Sequence, residues 1–163
     1  MSRAKLYWDS DCFLGYLLAE EDKVDLCEAV LQEASEGRVL IVTSALTITE
    51  VLNLKGRPPV PKENKNKVLN LFRSEYIAVR GVTRKVAELA REVVWENGIK
   101  PKDSIHIATA LDAGLNEFNT FDGELLKKSS RVVSPSKLLI CRPRGPVQPR
   151  LPFDKVLEDT SVQ

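Results

Sequence analysis

The sequence predicts an α/β fold organised on a parallel sheet, and three observations carry that expectation. Strand-like and helix-like periods alternate along the chain, which requires crossover connections and parallel pairing. The run Val39-Leu40-Ile41-Val42-Thr43 is continuous and largely β-branched, as in a strand covered on both faces. Residues 83–97 place Val86, Leu89, Ala90, Val93 and Val94 on one face of a helical period.

The elements follow in order. Residues 4–8 read as a short buried strand ending at Asp9, and residues 12–19 as an apolar helix packed on a sheet. Residues 21–35 carry Val24, Cys27, Val30, Leu31 and Ala34 near a 3.6 period, with Gly37 as terminator. After the second strand, Ser44 caps a helix expected to reach Lys55, before the break Gly56-Arg57-Pro58-Pro59. A mostly polar helix is expected over residues 61–73 and a strand over 76–79. Asn97-Gly98 ends the helix of residues 83–97; Pro101 opens the next one and Gly114 closes it. Residues 117–120 form a brief strand, and Asp122-Gly123 turns out of it. Val132-Val133 is a candidate last strand, and residues 136–141 a last turn of structure. Two units result: residues 1–141 as one domain, and a proline-rich extension over 142–163 that lacks periodicity. Trp8 and Trp95 both lie in apolar segments and are expected in the core.

Composition narrows the class. The 163 residues suffice for one ordinary domain, and the apolar and charged fractions of 43% and 29% are those of a soluble globular protein. No run approaches the ~18 apolar residues of a membrane span, and the N-terminus does not read as a secretory signal. Three cysteines without metal-ligand spacing suggest unpaired thiols and a cytoplasmic setting. The net charge is only +1, yet residues 127–150 hold seven basic residues and no acidic one. Lys127, Lys128 and Arg131 in that stretch are weak candidates for nucleic-acid contact, with a solvated surface as the equal alternative. Lys55, Arg57, Lys62, Lys65 and Lys67 form a second basic group around the polar helix, open to the same two readings.

Four acids stand at junctions between apolar runs and helices or turns: Asp9, Glu50, Asp103 and Asp122. Each has an ordinary role of its own. Asp9 suits a helix N-cap, Glu50 a helix surface, Asp103 a favourable first-turn position beside Pro101, and Asp122 a turn. Carboxylates set against apolar segments need a partner, and several together repel one another. A hard divalent cation satisfies both demands, which makes metal-assisted phosphodiester chemistry the leading expectation. His106, the only histidine, lies three residues after Asp103. A metal-made nucleophile needs no histidine base, so His106 is expected to be a core-edge imidazole bonded to a neighbour.

The ordered set Tyr-Trp-Asp-Ser, Thr-Ile-Thr-Glu, Asp-Ser-Ile-His-Ile-Ala-Thr-Ala-Leu and Thr-Phe-Asp-Gly-Glu-Leu resembles the PIN-domain family, as found in VapC-type toxins. The resemblance covers residues 6–126. It implies a three-layer α/β/α sandwich and a ribonuclease site dependent on Mg²⁺ or Mn²⁺. Asp9, Glu50, Asp103 and Asp122 would build that site, with Ser10 and Thr120 as supporting hydroxyls. It further implies an RNA substrate, a homodimer and an antitoxin protein that covers the site. Asp11 departs from the commoner asparagine or small residue and adds a negative charge. Two alternatives remain beside it. Asp9-Ser10-Asp11 resembles the opening of a haloacid-dehalogenase-like phosphatase, with Asp9 as nucleophile, although the residues that follow fit poorly. A non-catalytic RNA- or protein-binding module on the same fold is the other.

Overall fold

The computed structural model describes residues 3–128 and 138–145. Strand β1 (Ala4–Trp8) leads into α1 (Ser10–Leu17) and α2 (Val24–Ser35). Strand β2 (Val39–Ser44) is followed directly by the short helix α3 (Ala45–Glu50). A 3₁₀ turn (Lys62–Asn64) runs into α4 (Lys65–Phe72), then β3 (Ile77–Arg80), α5 (Arg84–Asn97) and α6 (Pro101–Asp112). Strand β4 (Glu117–Asn119), the one-turn helix α7 (Gly123–Leu126) and strand β5 (Leu139–Cys141) complete the described chain.

The five strands form one sheet in the order β3-β2-β1-β4-β5, and every pairing is parallel. Alternation along each strand divides the core in two, because successive side chains point to opposite faces. Leu6, Trp8, Ile41 and Ile77 pack with Phe13, Leu14, Cys27, Val30 and Leu71 from α1, α2 and α4. Tyr7, Val42, Phe118 and Ile140 pack on the other face with Val93 of α5, Ile107 and Ala110 of α6 and Leu125 of α7. The result is the three-layer sandwich. Tyr7 and Phe118 are register partners on β1 and β4, and their rings stack with centroids 4.9 Å apart at 8°. That contact adds about 0.5–1.5 kcal/mol beyond burial and fixes the two central strands where the order reverses.

Four expectations are corrected. Helix α3 stops at Glu50, not Lys55; residues 51–61 turn back instead, with Gly56 at φ +85°. The reversal carries Arg57 to the carboxylates of Asp11 and Glu20, a tertiary contact that overrides local helix propensity. Trp95 is 69% exposed, because it lies two residues past Val93 and so off the buried stripe of Val86, Ala90 and Val93; Arg91 covers its ring at 5.2 Å. The turn at Asp122-Gly123 initiates a helix. Residues 139–141 form an edge strand, not a turn, pairing with β4 from Glu117↔Leu139 to Asn119↔Cys141. The candidate strand at Val132-Val133, the basic residues Arg131, Lys137 and Arg150, and the extension from residue 146 lie outside the described residues. Among the described residues, no helix is long and apolar enough to cross a membrane.

Candidate active site

In an open parallel sheet the ligand crevice lies beyond the carboxyl ends of the strands, where the strand order reverses. Here that point is between β1 and β4. Strand β1 runs into Asp9 and β4 into Thr120, and the chains are joined there by Asp9 N–H to the Asn119 carbonyl at 3.4 Å. Asp9 caps α1 by accepting from the Cys12 amide at 3.3 Å on Oδ1, while the Thr120 hydroxyl donates to Oδ2 at 2.5 Å. Asp9 is 6% exposed. Burial, and then the charge of Asp11, push its pKa up to about 7 against the pull of Thr120 and His106.

Glu50 is the last residue of α3, and two donors converge on its Oε1. The Ser10 hydroxyl lies 2.8 Å away and His106 Nε2 lies 2.6 Å away. The opposite ring nitrogen, His106 Nδ1, is 2.6 Å from the Tyr7 hydroxyl, which itself accepts from the Ser44 amide at 3.0 Å. The His106 ring is thus held between Tyr7 on one nitrogen and Glu50 on the other. Burial alone would raise the Glu50 pKa; the His106 bond and charge, with Ser10 and Lys102, outweigh it and hold Glu50 below its ordinary value.

Asp103 lies in the first turn of α6, and Asp122 caps α7 by accepting from the Glu124 and Leu125 amides at 2.8 and 3.4 Å. Burial and then the negative charge of Asp122 raise the Asp103 pKa. Asp9, Ser10, Asp11, Glu50, Asp103, His106 and Asp122 all line one cavity of about 390 Å³. Arg57 lines it too. Its guanidinium pairs with Asp11 at 2.9 Å and with Glu20 at 3.3 Å, so the extra acid is partly neutralised by the returning loop. Asp11 nonetheless keeps a raised pKa, chiefly from burial.

The sequence model of the PIN domain matches residues 6–130. The chain belongs to the PIN domain family. Among solved structures it is similar to VapC20 of Mycobacterium tuberculosis, described as a toxin that cleaves the sarcin–ricin loop. The TM-score is 0.59 at 16% identity, over 73% of this chain and 91% of that one. It is also similar to a toxin–antitoxin complex from Klebsiella pneumoniae, with a TM-score of 0.56 at 17% identity, over 86% of this chain and 99% of that one. At these identities the likeness carries the fold. A comparison with curated proteins gives no match.

The cavity of this PIN domain brings together all four acids picked out by sequence, with Ser10 on Glu50 and Thr120 on Asp9. The donors are carboxylate oxygens, His106 is committed to Tyr7 and Glu50, and no thiol lines the cavity. Carboxylates gathered around a shared space, with Asp9 and Asp103 raised in pKa first by burial and then by a neighbouring acid, fit a hard divalent ion by donor chemistry. Among the described residues, no group of three His, Cys, Asp or Glu side chains stands in ligating geometry.

The basic candidates are placed differently. Lys127 is exposed and pairs with Glu124 at 3.6 Å. Lys128 Nζ donates to the Asn97 and Gly98 carbonyls at 3.1 and 2.8 Å, capping the end of α5. Two features of the PIN domain site had no sequence signal strong enough to find them: the bond from His106 to Glu50 and the ion pairs of Arg57. Both join residues far apart in the chain.

Proposed function

We propose that this PIN domain is a divalent-metal-dependent endoribonuclease and the toxin of a type II toxin–antitoxin pair. The observation that carries the reading is the single cavity shared by Asp9, Glu50, Asp103 and Asp122 at the carboxyl edge of the sheet. Two solved structures of similar fold are described as a toxin and a toxin–antitoxin complex, which supports the same activity class.

Asp9, Glu50, Asp103 and Asp122 would hold Mg²⁺ or Mn²⁺, which when bound supplies an activated water and charge stabilisation at phosphorus. Thr120 and the Cys12 amide fix both oxygens of Asp9. Ser10 and His106 fix Oε1 of Glu50 and leave its rotamer little freedom. Water adds to phosphorus and the bond to the 3′ oxygen breaks, leaving a 5′-phosphate and a 3′-hydroxyl. The chain would act in the cytoplasm as a homodimer, with Cys12, Cys27 and Cys141 as free thiols, and an antitoxin protein would cover the cavity.

No specific observation favours the phosphatase alternative. It requires Asp11 as a general acid, whereas Asp11 is ion-paired with Arg57. A non-catalytic module would have no use for a costly cluster of negative charge. Sequencing RNA ends after induced expression tests the proposal. New 5′-phosphate ends that vanish with Asp103→Asn are expected. The same end pattern in wild type and variant would refute it.

A further inference from the structure

We propose that a single RNA strand leaves the acidic cavity along the cleft between α3 and α6, with its phosphates on Lys55, Lys100 and Lys102 and its bases against Leu46, Leu54 and Pro101. This rests on the ribonuclease reading and adds the path and the strandedness of the substrate. The cleft measures about 790 Å³ and shares Glu50 and Asp103 with the acidic cavity, so the two are continuous through these carboxylates. Its walls combine three exposed lysines with the carbon surfaces of Leu46, Leu54 and Pro101. Unstacked bases offer apolar faces to such walls, and a duplex keeps those faces stacked inside.

Charge supports the same side. Lys100 and Lys102 line the same cleft as Glu50 and Asp103, the acids they would offset. Among the described residues, none of the three lysines is tied up in an ion pair. The cavity past α7 measures only about 180 Å³ and shares Lys100 and Asp103 with the cleft. Its Lys128 is spent on two backbone carbonyls, and Lys127 faces Glu124.

The test is fluorescence anisotropy of a short, mixed-sequence, fluorescein-labelled single-stranded RNA with the full chain in EDTA, where the proposed metal site is empty and cleavage is not expected. The triple variant Lys55→Gln, Lys100→Gln, Lys102→Gln is compared with wild type, with Lys5→Gln at the far end of the sheet as control. Loss of three contacts should weaken binding by about tenfold to a hundredfold at ~0.1 M salt and lower the logarithmic salt slope by about 2. Lys5→Gln should bind as wild type, and a matching RNA duplex should compete poorly. An unchanged affinity and slope in the triple variant would overturn the path, as would an equal loss in Lys127→Gln. Wild type that cleaves RNA with Mg²⁺ while the triple variant binds normally removes the path and leaves the ribonuclease. Lysine-dependent binding with no cleavage under any divalent ion removes the ribonuclease and leaves the path.

Discussion

His106 Nε2 lies 2.6 Å from Glu50 Oε1, and through this bond the only histidine of the chain holds the only glutamate of the acidic set. The ring is 3% exposed and is aimed from behind by Tyr7. His106 therefore holds Glu50 in place at the cavity wall.

Removing that bond should loosen the site. His106→Ala should lower divalent-cation affinity about 10- to 100-fold, by analogy with outer-shell partners of metal ligands. His106→Gln, whose amide can still donate to Glu50, should recover much of the loss. Mn²⁺ binding followed by electron paramagnetic resonance separates the two. Equal affinities for wild type and His106→Ala would remove the positioning role.

Tyr7→Phe deletes the acceptor for the buried Ser44 amide and the hydrogen-bond partner of His106 Nδ1 together. Stranded buried polar groups cost about 1–3 kcal/mol. Urea unfolding should show a drop of that size with an unchanged slope, although the stacked ring against Phe118 is kept.

The raised pKa of Asp9 gives the metal-free protein a defined pH dependence. Its folded value of about 7 lies above the ordinary value of 3.8. Between these two the native state binds more protons than the unfolded chain, so stability falls as pH rises toward 7 and recovers as pH drops. Asp11 and Asp103 act in the same direction, and Glu50 in the opposite one. At pH ~8 Asp9→Asn should stabilise the metal-free protein by ~1–4 kcal/mol, at about 1.4 kcal/mol per pKa unit. The variant should also flatten the profile measured by urea unfolding between pH ~5 and ~8.

Arg57 should prove structural for the loop of residues 51–61. Arg57→Gln leaves Asp11 and Glu20 facing each other and the cavity, at an expected cost of about 1–3 kcal/mol for a largely buried pair. Asp11→Asn in the same chain should return part of it. A double-mutant cycle with no coupling would show that the loop is held by its apolar contacts alone.

The two tryptophans make a simple optical check. Trp8 is fully buried and donates to Asn119 Oδ1 at 3.2 Å, whereas Trp95 is exposed. Trp95→Phe should remove the iodide-quenchable emission, leave a blue-shifted residue, and change stability by less than about 0.5 kcal/mol.

How far the sequence reached follows from the range of the contacts involved. Strands β1 and β2 and helices α5 and α6 are set by local period and caps, so they could be read directly. Asp9 and Asp103 were legible as junction residues because strand end and helix start are local features. The end of α3, the pairing of β5 and the exposure of Trp95 depend on neighbours distant in the chain. Tyr7 and His106 are 99 residues apart and Glu50 and His106 are 56 apart, so no window of sequence could show that they meet.

The most direct test of the central claim is cleavage of a labelled single-stranded RNA by purified wild type and by Asp9→Asn and Asp103→Asn. Each is assayed with Mg²⁺, with Mn²⁺ and with EDTA, after circular dichroism has confirmed folding. Wild type should cleave only with a divalent ion, and both variants should fall to the EDTA level. Undiminished cleavage by folded Asp9→Asn and Asp103→Asn, or full wild-type cleavage in EDTA, would contradict a four-carboxylate metal site in this PIN domain.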